Sequence, residues 1–368
     1  MGVIRILLII LVLIAFSFVM YILLKDRAII TAESNTPIIE GMSVEDEIKK
    51  LFTKTPPINM ENINKKRLNL PLREYCIKAS YNSAYSGSEI SEKMIRYVIS
   101  RGCRFLDLQI FLSEKDNIPY VVNITDPTRK EMTSENMVLL DTILNTIAAN
   151  AFATVQGNSG CPNPTDPLFI HLRIIPDKKM LVYDKVADYI TKNFSTNSRA
   201  INNIGNATLI DQYTQIVGDD TIMKKTFFLI DKSYNPKYAV FSQKIANLMN
   251  GETGGEKFQV LDYSKMINRK TTPPIIKDDY RTTDVINETI VMPEILEKYP
   301  SPSIINMVVN YGVQITMYPF YKSSDELVQY ELLFNEYKSA FIPMAYAIKY
   351  LDQLKSELES KNIQLGAL

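Results

Sequence analysis

His171 is the only histidine among 368 residues, so a reaction that needs separate imidazole acid and base finds at most one here. It stands two residues before Arg173 in the apolar run Leu168–Ile174 (LFIHLRI). A second polar pair, Asp107 and Gln109, interrupts the run Arg104–Phe111 (RFLDLQIF). Strand side chains alternate between two faces. Phe105, Asp107 and Gln109 therefore share one face of their strand, and His171 and Arg173 share one face of theirs. If both faces point inward, Asp107 and Arg173 are expected to form a buried salt bridge, with His171 one layer deeper as a hydrogen-bonded structural residue. Tyr81, Asn82 and Asn123 fall at the ends of apolar runs. A phenol with a pKa of about 10 is a poor base at neutral pH, and an amide transfers no proton. The cysteines Cys76, Cys103 and Cys161 show no Cys-x-x-Cys or paired-His spacing, which argues for structural thiols and against zinc.

Elements that would position these groups follow from periodicity. Strands are expected over Cys76–Ser80, Arg104–Phe111, Pro119–Val122, Leu168–Ile174, Thr226–Ile230, Phe258–Leu261 and Val313–Tyr318. Helices are expected over Ile90–Arg101, Val138–Ala151, Met180–Asn193, Thr208–Gln215, Tyr238–Met249 and a long C-terminal stretch, Ser324–Ser360. Strands alternating with helices of this length predict parallel βα units, and about 280 residues of them predict one α/β domain, a (β/α)₈ TIM barrel. Gly157–Asp166, Gly251–Lys257 and Ile267–Arg281 read as loops.

Ahead of this domain, Ile6–Leu24 is uncharged and apolar and would span roughly 28 Å as a helix, close to the hydrocarbon thickness of a bilayer. It exceeds the core of a cleavable signal and lacks an Ala-x-Ala site, so a retained single-pass transmembrane anchor is expected. The organisation is then an anchor over residues 1–27, a tether over 28–70 with a short helix from Ser43 to about Phe52, and the barrel with its C-terminal helices over 71–368. The balance of 41 basic and 41 acidic side chains argues against nucleic acid as a partner.

The segment Arg73–Phe111 resembles the opening of the phosphatidylinositol-specific phospholipase C X domain. Ser80-Tyr81-Asn82 stands where that family has Ser-His-Asn, and Gly102-Cys103-Arg104 precedes its second strand. Leu139–Phe152, Pro167–Ile174, Lys225–Asp231 and Asn310–Phe320 are similar to later family segments in the same order, so the resemblance covers roughly Pro71–Tyr350. It implies a barrel that cleaves phosphodiesters with two histidines and, in eukaryotic members, a calcium ion. By the same alignment Tyr81 and Asn123 replace the histidines. At the calcium positions Asn82 persists, Asp107 replaces Glu, Gln109 replaces Asp, and Arg173 replaces the last Glu. One carboxylate facing a guanidinium implies no calcium site, while Arg173 with Tyr81, Asn82 and Asn123 offers a possible anion pocket.

Three readings follow. The first is a membrane-anchored pseudoenzyme, a structural or binding module with protein partners in a membrane-associated assembly. The Asn-, Ile- and Lys-rich composition suits a virion-membrane or capsid-associated protein of a large DNA virus. The second is a phosphoric diester hydrolase acting on phosphatidylinositol-type lipids with atypical residues. The third is a non-catalytic inositol-phosphate or lipid receptor.

Overall fold

The computed structural model describes residues 44–63, 70–126, 131–154, 160–194, 222–278, 280–283, 287–295 and 299–360. The expected anchor Ile6–Leu24 and the expected helix Thr208–Gln215 lie outside them. Among the described residues, no helix is long and apolar enough to cross a membrane.

The barrel strands are β1 (Ala79–Ser80), β2 (Phe105–Leu112), β3 (Leu168–Ile174), β4 (Thr226–Asp231), β5 (Gly251–Thr253), β6 (Phe258–Asp262), β7 (Glu288–Met292) and β8 (Ile315–Tyr318). Going round the barrel they follow chain order, with β8 pairing back onto β1, and every pairing between them is parallel. The ladder is interrupted only between β5 and β6 among the described residues, so the barrel is nearly closed. The helices are α1 (Val44–Lys54), α2 (Glu92–Ser100), α3 (Leu140–Asn150), α4 (Leu181–Phe194), α5 (Tyr238–Phe241), α6 (Gln243–Leu248), α7 (Tyr263–Ile267), α8 (Asp325–Tyr337) and α9 (Met344–Ser360).

Several expectations change. Cys76–Ser80 splits: Tyr75–Ile77 pairs antiparallel with Phe341–Pro343 beneath the barrel, and only Ala79–Ser80 joins the staves. Pro119–Val121 folds back antiparallel on β2, so it is a hairpin arm and not a stave. β5 occupies a stretch read as loop, and β7 was not anticipated. The expected helix Tyr238–Met249 breaks at Ser242, which is extended and accepts a hydrogen bond from the Ile245 N–H at 3.3 Å. The stretch Ser324–Ser360 is α8, a strand and α9, because Lys338 turns left-handed at φ 50° and Pro343 cannot continue a helix. A short antiparallel pair, Ile275–Ile276 with Thr282–Thr283, lies inside Ile267–Arg281.

Local chemistry explains the framing of β2. Ser91 caps α2 by accepting from the Lys93 N–H at 3.1 Å. Gly102 ends the helix at φ +78°, where a Cβ would also lie 2.8 Å from the Met60 methyl. Arg104 then enters β2 fully buried, its guanidinium donating to the carbonyls of Ala151, Asp166 and Pro167. Inside, Phe105, Phe169 and Phe227 stack at 6.1 and 5.1 Å between centroids, with Phe341 against Phe169 at 6.4 Å. Each such ring contributes roughly 1.5–3 kcal/mol by burial.

Residues 55–63 do not run free. The Asn59 N–H donates to Asn335 Oδ1 at 3.0 Å, and the Ile63 N–H donates to Asp166 Oδ1 at 2.8 Å. Burial pushes the Asp166 carboxyl up to about 6, even though Arg104, the Ile63 N–H and the Asn163 amide favour its charged form.

Candidate functional site

The polar residues picked from the sequence meet one layer above the phenylalanine stack. Register sets Asp107 beside His171 and Gln109 beside Arg173 across β2 and β3. Arg173 donates to Asp107 with both arms, Nε to Oδ1 at 2.9 Å and Nη2 to Oδ2 at 2.6 Å. This bidentate geometry suits a guanidinium and a carboxylate. The Asn82 N–H adds a third donor to Asp107 Oδ2 at 3.0 Å, while Asn82 Oδ1 accepts from Arg173 Nη2. Asn82 does this from a left-handed turn at φ 40°, a conformation asparagine tolerates better than most residues. The Tyr81 ring lies 4.8 Å from the guanidinium carbon.

His171 extends the chain of contacts. Its Nδ1 is 2.9 Å from Asp107 Oδ1, and its Nε2 is 2.8 Å from Thr253 Oγ1 on β5. With an ionised Asp107, Nδ1 carries the proton. Carboxylate, imidazole and hydroxyl in a row have the connectivity of a hydrolytic triad. Here all three side chains are 0% exposed, so no substrate carbonyl or phosphorus reaches the hydroxyl. Burial by itself would raise the Asp107 carboxyl, but Arg173 and His171 overcome it and hold the group well below the usual carboxylate range. Arg173 is raised in turn, because Asp107 outweighs its desolvation.

The remaining positions are structural in their contacts. Gln109 accepts from the Ile124 N–H at 2.8 Å and donates to the Ile124 carbonyl at 3.5 Å, so it pins the segment that follows the hairpin arm. Asn123 Oδ1 accepts from Asn82 Nδ2 at 2.8 Å. Tyr81, Asn82, Arg173 and Asn123 thus come together as an anion pocket requires, but they are 3%, 3%, 1% and 5% exposed and turned onto one another. The residues also do not fit calcium. Both Asp107 oxygens already accept from cationic or N–H donors, and the guanidinium occupies the place where a dication would need oxygen ligands.

Sequence reasoning missed Thr253, because its strand lies in the Gly-rich run Gly251–Lys257, and it missed Ser83. The Ser83 hydroxyl accepts from the Asp107 N–H at 2.9 Å and lies 2.5 Å from Ser80 Oγ, fixing the turn that carries Tyr81 and Asn82. The three cysteines are buried thiols, and burial pushes the Cys103 thiol up to about 12.

A cleft of about 420 Å³ opens beside this network at the carboxyl ends of the strands, with Asn123, Tyr85, Tyr321, Thr125 and Lys322 in its walls. Tyr85 and Tyr321 meet edge to face at 4.8 Å. Asn123 is the residue common to the cleft and the network.

Residues 68–173 match the family model described as phosphatidylinositol-specific phospholipase C, X domain. The fold is similar to that of L. pealei PLC21, with a TM-score of 0.52 and 13% identity, over 78% of this chain and 39% of that one. It is similar too to S. officinalis PLC21, with a TM-score of 0.51 and 15% identity, over 75% of this chain and 37% of that one. No curated protein matches the sequence. Within residues 68–173 the chain is thus similar to the X domain, and its fold is a phospholipase C-type barrel; it spans less than two fifths of the length of S. officinalis PLC21.

Proposed function

We propose that this chain is a non-catalytic phospholipase C-like barrel that serves as a structural or binding module in a membrane-associated assembly. Its composition suits such an assembly in a large DNA virus. The observation that carries the reading is the closed circuit of Arg173, Asp107, His171 and Asn82. Arg173 Nε and Nη2, both Asp107 carboxylate oxygens, both His171 ring nitrogens and Asn82 Oδ1 are engaged by other side chains, and the groups aligned with the family's acid and base are a phenol and an amide. Phosphodiester cleavage needs a proton acceptor and a proton donor within reach of the substrate, and neither Tyr81 nor Asn123 supplies one near neutral pH. The test is turnover by the full chain on phosphatidylinositol vesicles, with and without calcium. No product above buffer is expected. Calcium-stimulated product that disappears in Asp107→Asn would overturn the reading.

The cleft favours a second reading, a receptor without turnover. It combines one cation, Lys322, with the Asn123 amide, the Thr125 hydroxyl and two aromatic rings, a suitable size and lining for a small polar ligand. Titration calorimetry with inositol phosphate distinguishes the two, since a purely structural barrel releases no heat of binding and a receptor loses its signal in Lys322→Ala.

A further inference from the structure

Residues 55–63 form a strap that leaves α1 and crosses the ends of α2 and α8 and the loop before β3. Its ties come from elements far apart in the chain. The Pro56 carbonyl accepts from Arg101 Nη2 at 2.7 Å, and the Pro57 carbonyl accepts from Asn335 Nδ2 at 2.9 Å. The Glu61 N–H donates to the Lys338 carbonyl at 2.9 Å, and Asn62 Oδ1 accepts from the Thr165 N–H at 2.8 Å. Met60 and Ile63 are buried, so two apolar side chains three residues apart plug the strap into the domain.

The tie at Ile63 differs in kind from the others. Its N–H donates to a carboxyl, that of Asp166, which is 0% exposed and forms no ion pair with a described residue. Asp166 Oδ2 accepts from Asn163 Nδ2 at 3.0 Å, a neutral donor from its own loop. The Arg104 guanidinium donates to the main-chain carbonyls of Ala151, Asp166 and Pro167 and not to this carboxyl. Asp107 makes the contrast, since it is equally buried but meets Arg173 with both oxygens. The other ionisable groups about the loop supply no countercharge. Cys161 lies 3.2 Å from Arg104 Nη1, and burial pushes its thiol up. Glu61 on the strap pairs with the exposed Lys338 at 3.5 Å. Lys224 and Lys225, which lead into β4, meet this loop through their main chain, at Thr165 and Leu168.

A carboxylate enclosed with neutral donors alone loses more hydration than two N–H bonds return. Burial accordingly pushes Asp166 up to about 6 with the strap in place. Lifting the strap removes the Ile63 donor and admits water, which returns the carboxyl toward its ordinary value of about 3.9. Linkage then sets the sign. The closed strap binds the proton more tightly than the open one, so its advantage is complete below the open value and is lost as pH rises through about 6.

We propose that residues 55–63 are an acid-closed latch, held on the barrel by a protonated Asp166 and loosened when that carboxyl ionises. Opening bares Met60 and Ile63 together with the surface of Gly102 and Pro162 beneath Met60. The test is amide hydrogen exchange of the full chain between about pH 5 and about pH 8, corrected for intrinsic rates, with β3 as the reference. Carboxyl values of about 6 closed and about 3.9 open predict that strap protection falls roughly tenfold over that range while β3 is unchanged. Asp166→Asn keeps an oxygen for the Ile63 N–H and removes the proton equilibrium, so its strap should be equally protected at both ends of the range. Carbon-13 titration of the Asp166 carboxyl in the parent chain needs no variant and should give a midpoint near 6. Strap protection that is flat or rises with pH in the parent overturns the proposal. So does an unchanged pH dependence in Asp166→Asn, or an Asp166 midpoint at about 4.

Discussion

At the scale of single residues, the centre of the barrel is a network in which removal of one member exposes another. Arg173→Met should lose about 3–5 kcal/mol, because it leaves the Asp107 charge buried without its partner. Adding Asp107→Asn to that variant should recover part of the loss, which denaturant unfolding of the two variants reads directly. His171→Gln should cost about 1–3 kcal/mol through its two buried hydrogen bonds, with no change in any binding at the cleft. The acid limb follows from the depressed Asp107 carboxyl. Its folded value lies below the unfolded value of about 3.9, so its stabilisation is complete above that pH and drains away as pH falls toward the folded value. Thermal melts between neutral pH and pH 2 should therefore fall more steeply in the parent than in Asp107→Asn. Strand alternation was enough to bring Asp107, His171 and Arg173 together from the sequence, because parity fixes the facing of a strand once its core is known. It gave no access to Thr253. The two side chains are 82 positions apart, and nothing local marks Gly251–Thr253 as a strand.

At the scale of elements, βα alternation was readable where helices are amphipathic and strands are largely apolar, as in α2, α4 and β3. It failed where short segments owe their conformation to distant partners. Phe341–Pro343 is a strand because Tyr75–Ile77 lies beside it, and the signals that ended α8 were a left-handed residue and a proline inside an otherwise helical pattern. The first of these yields a prediction. Lys338 holds φ 50° at the end of α8, and its exposed contact with Glu61 at 3.5 Å contributes little. Lys338→Gly should therefore stabilise the fold by about 0.5–1 kcal/mol, seen as a rise in Tm of a few degrees. The helix-to-strand turn at Gly102 behaves in the opposite way. Gly102→Ala adds left-handed strain and a clash with Met60, and should destabilise the fold and loosen residues 55–63.

At the scale of the whole molecule, the phospholipase C-type barrel has an interior arranged to hold itself together. Aromatic rings fill the lower layer, an ion pair with its histidine fills the next, and a cleft stays open at the carboxyl ends. The interruption between β5 and β6 has a further consequence. Everywhere else a cut between staves would sever a ladder, but between residues 254 and 257 it severs none. The molecule is in this sense a ribbon rolled up with its two long edges meeting there, and the chain crosses from one edge to the other in a single short loop. Fragments ending at Gly255 and beginning at Glu256, expressed together, should reassemble into one particle that elutes as the intact chain does. A cut placed between β3 and β4 should not.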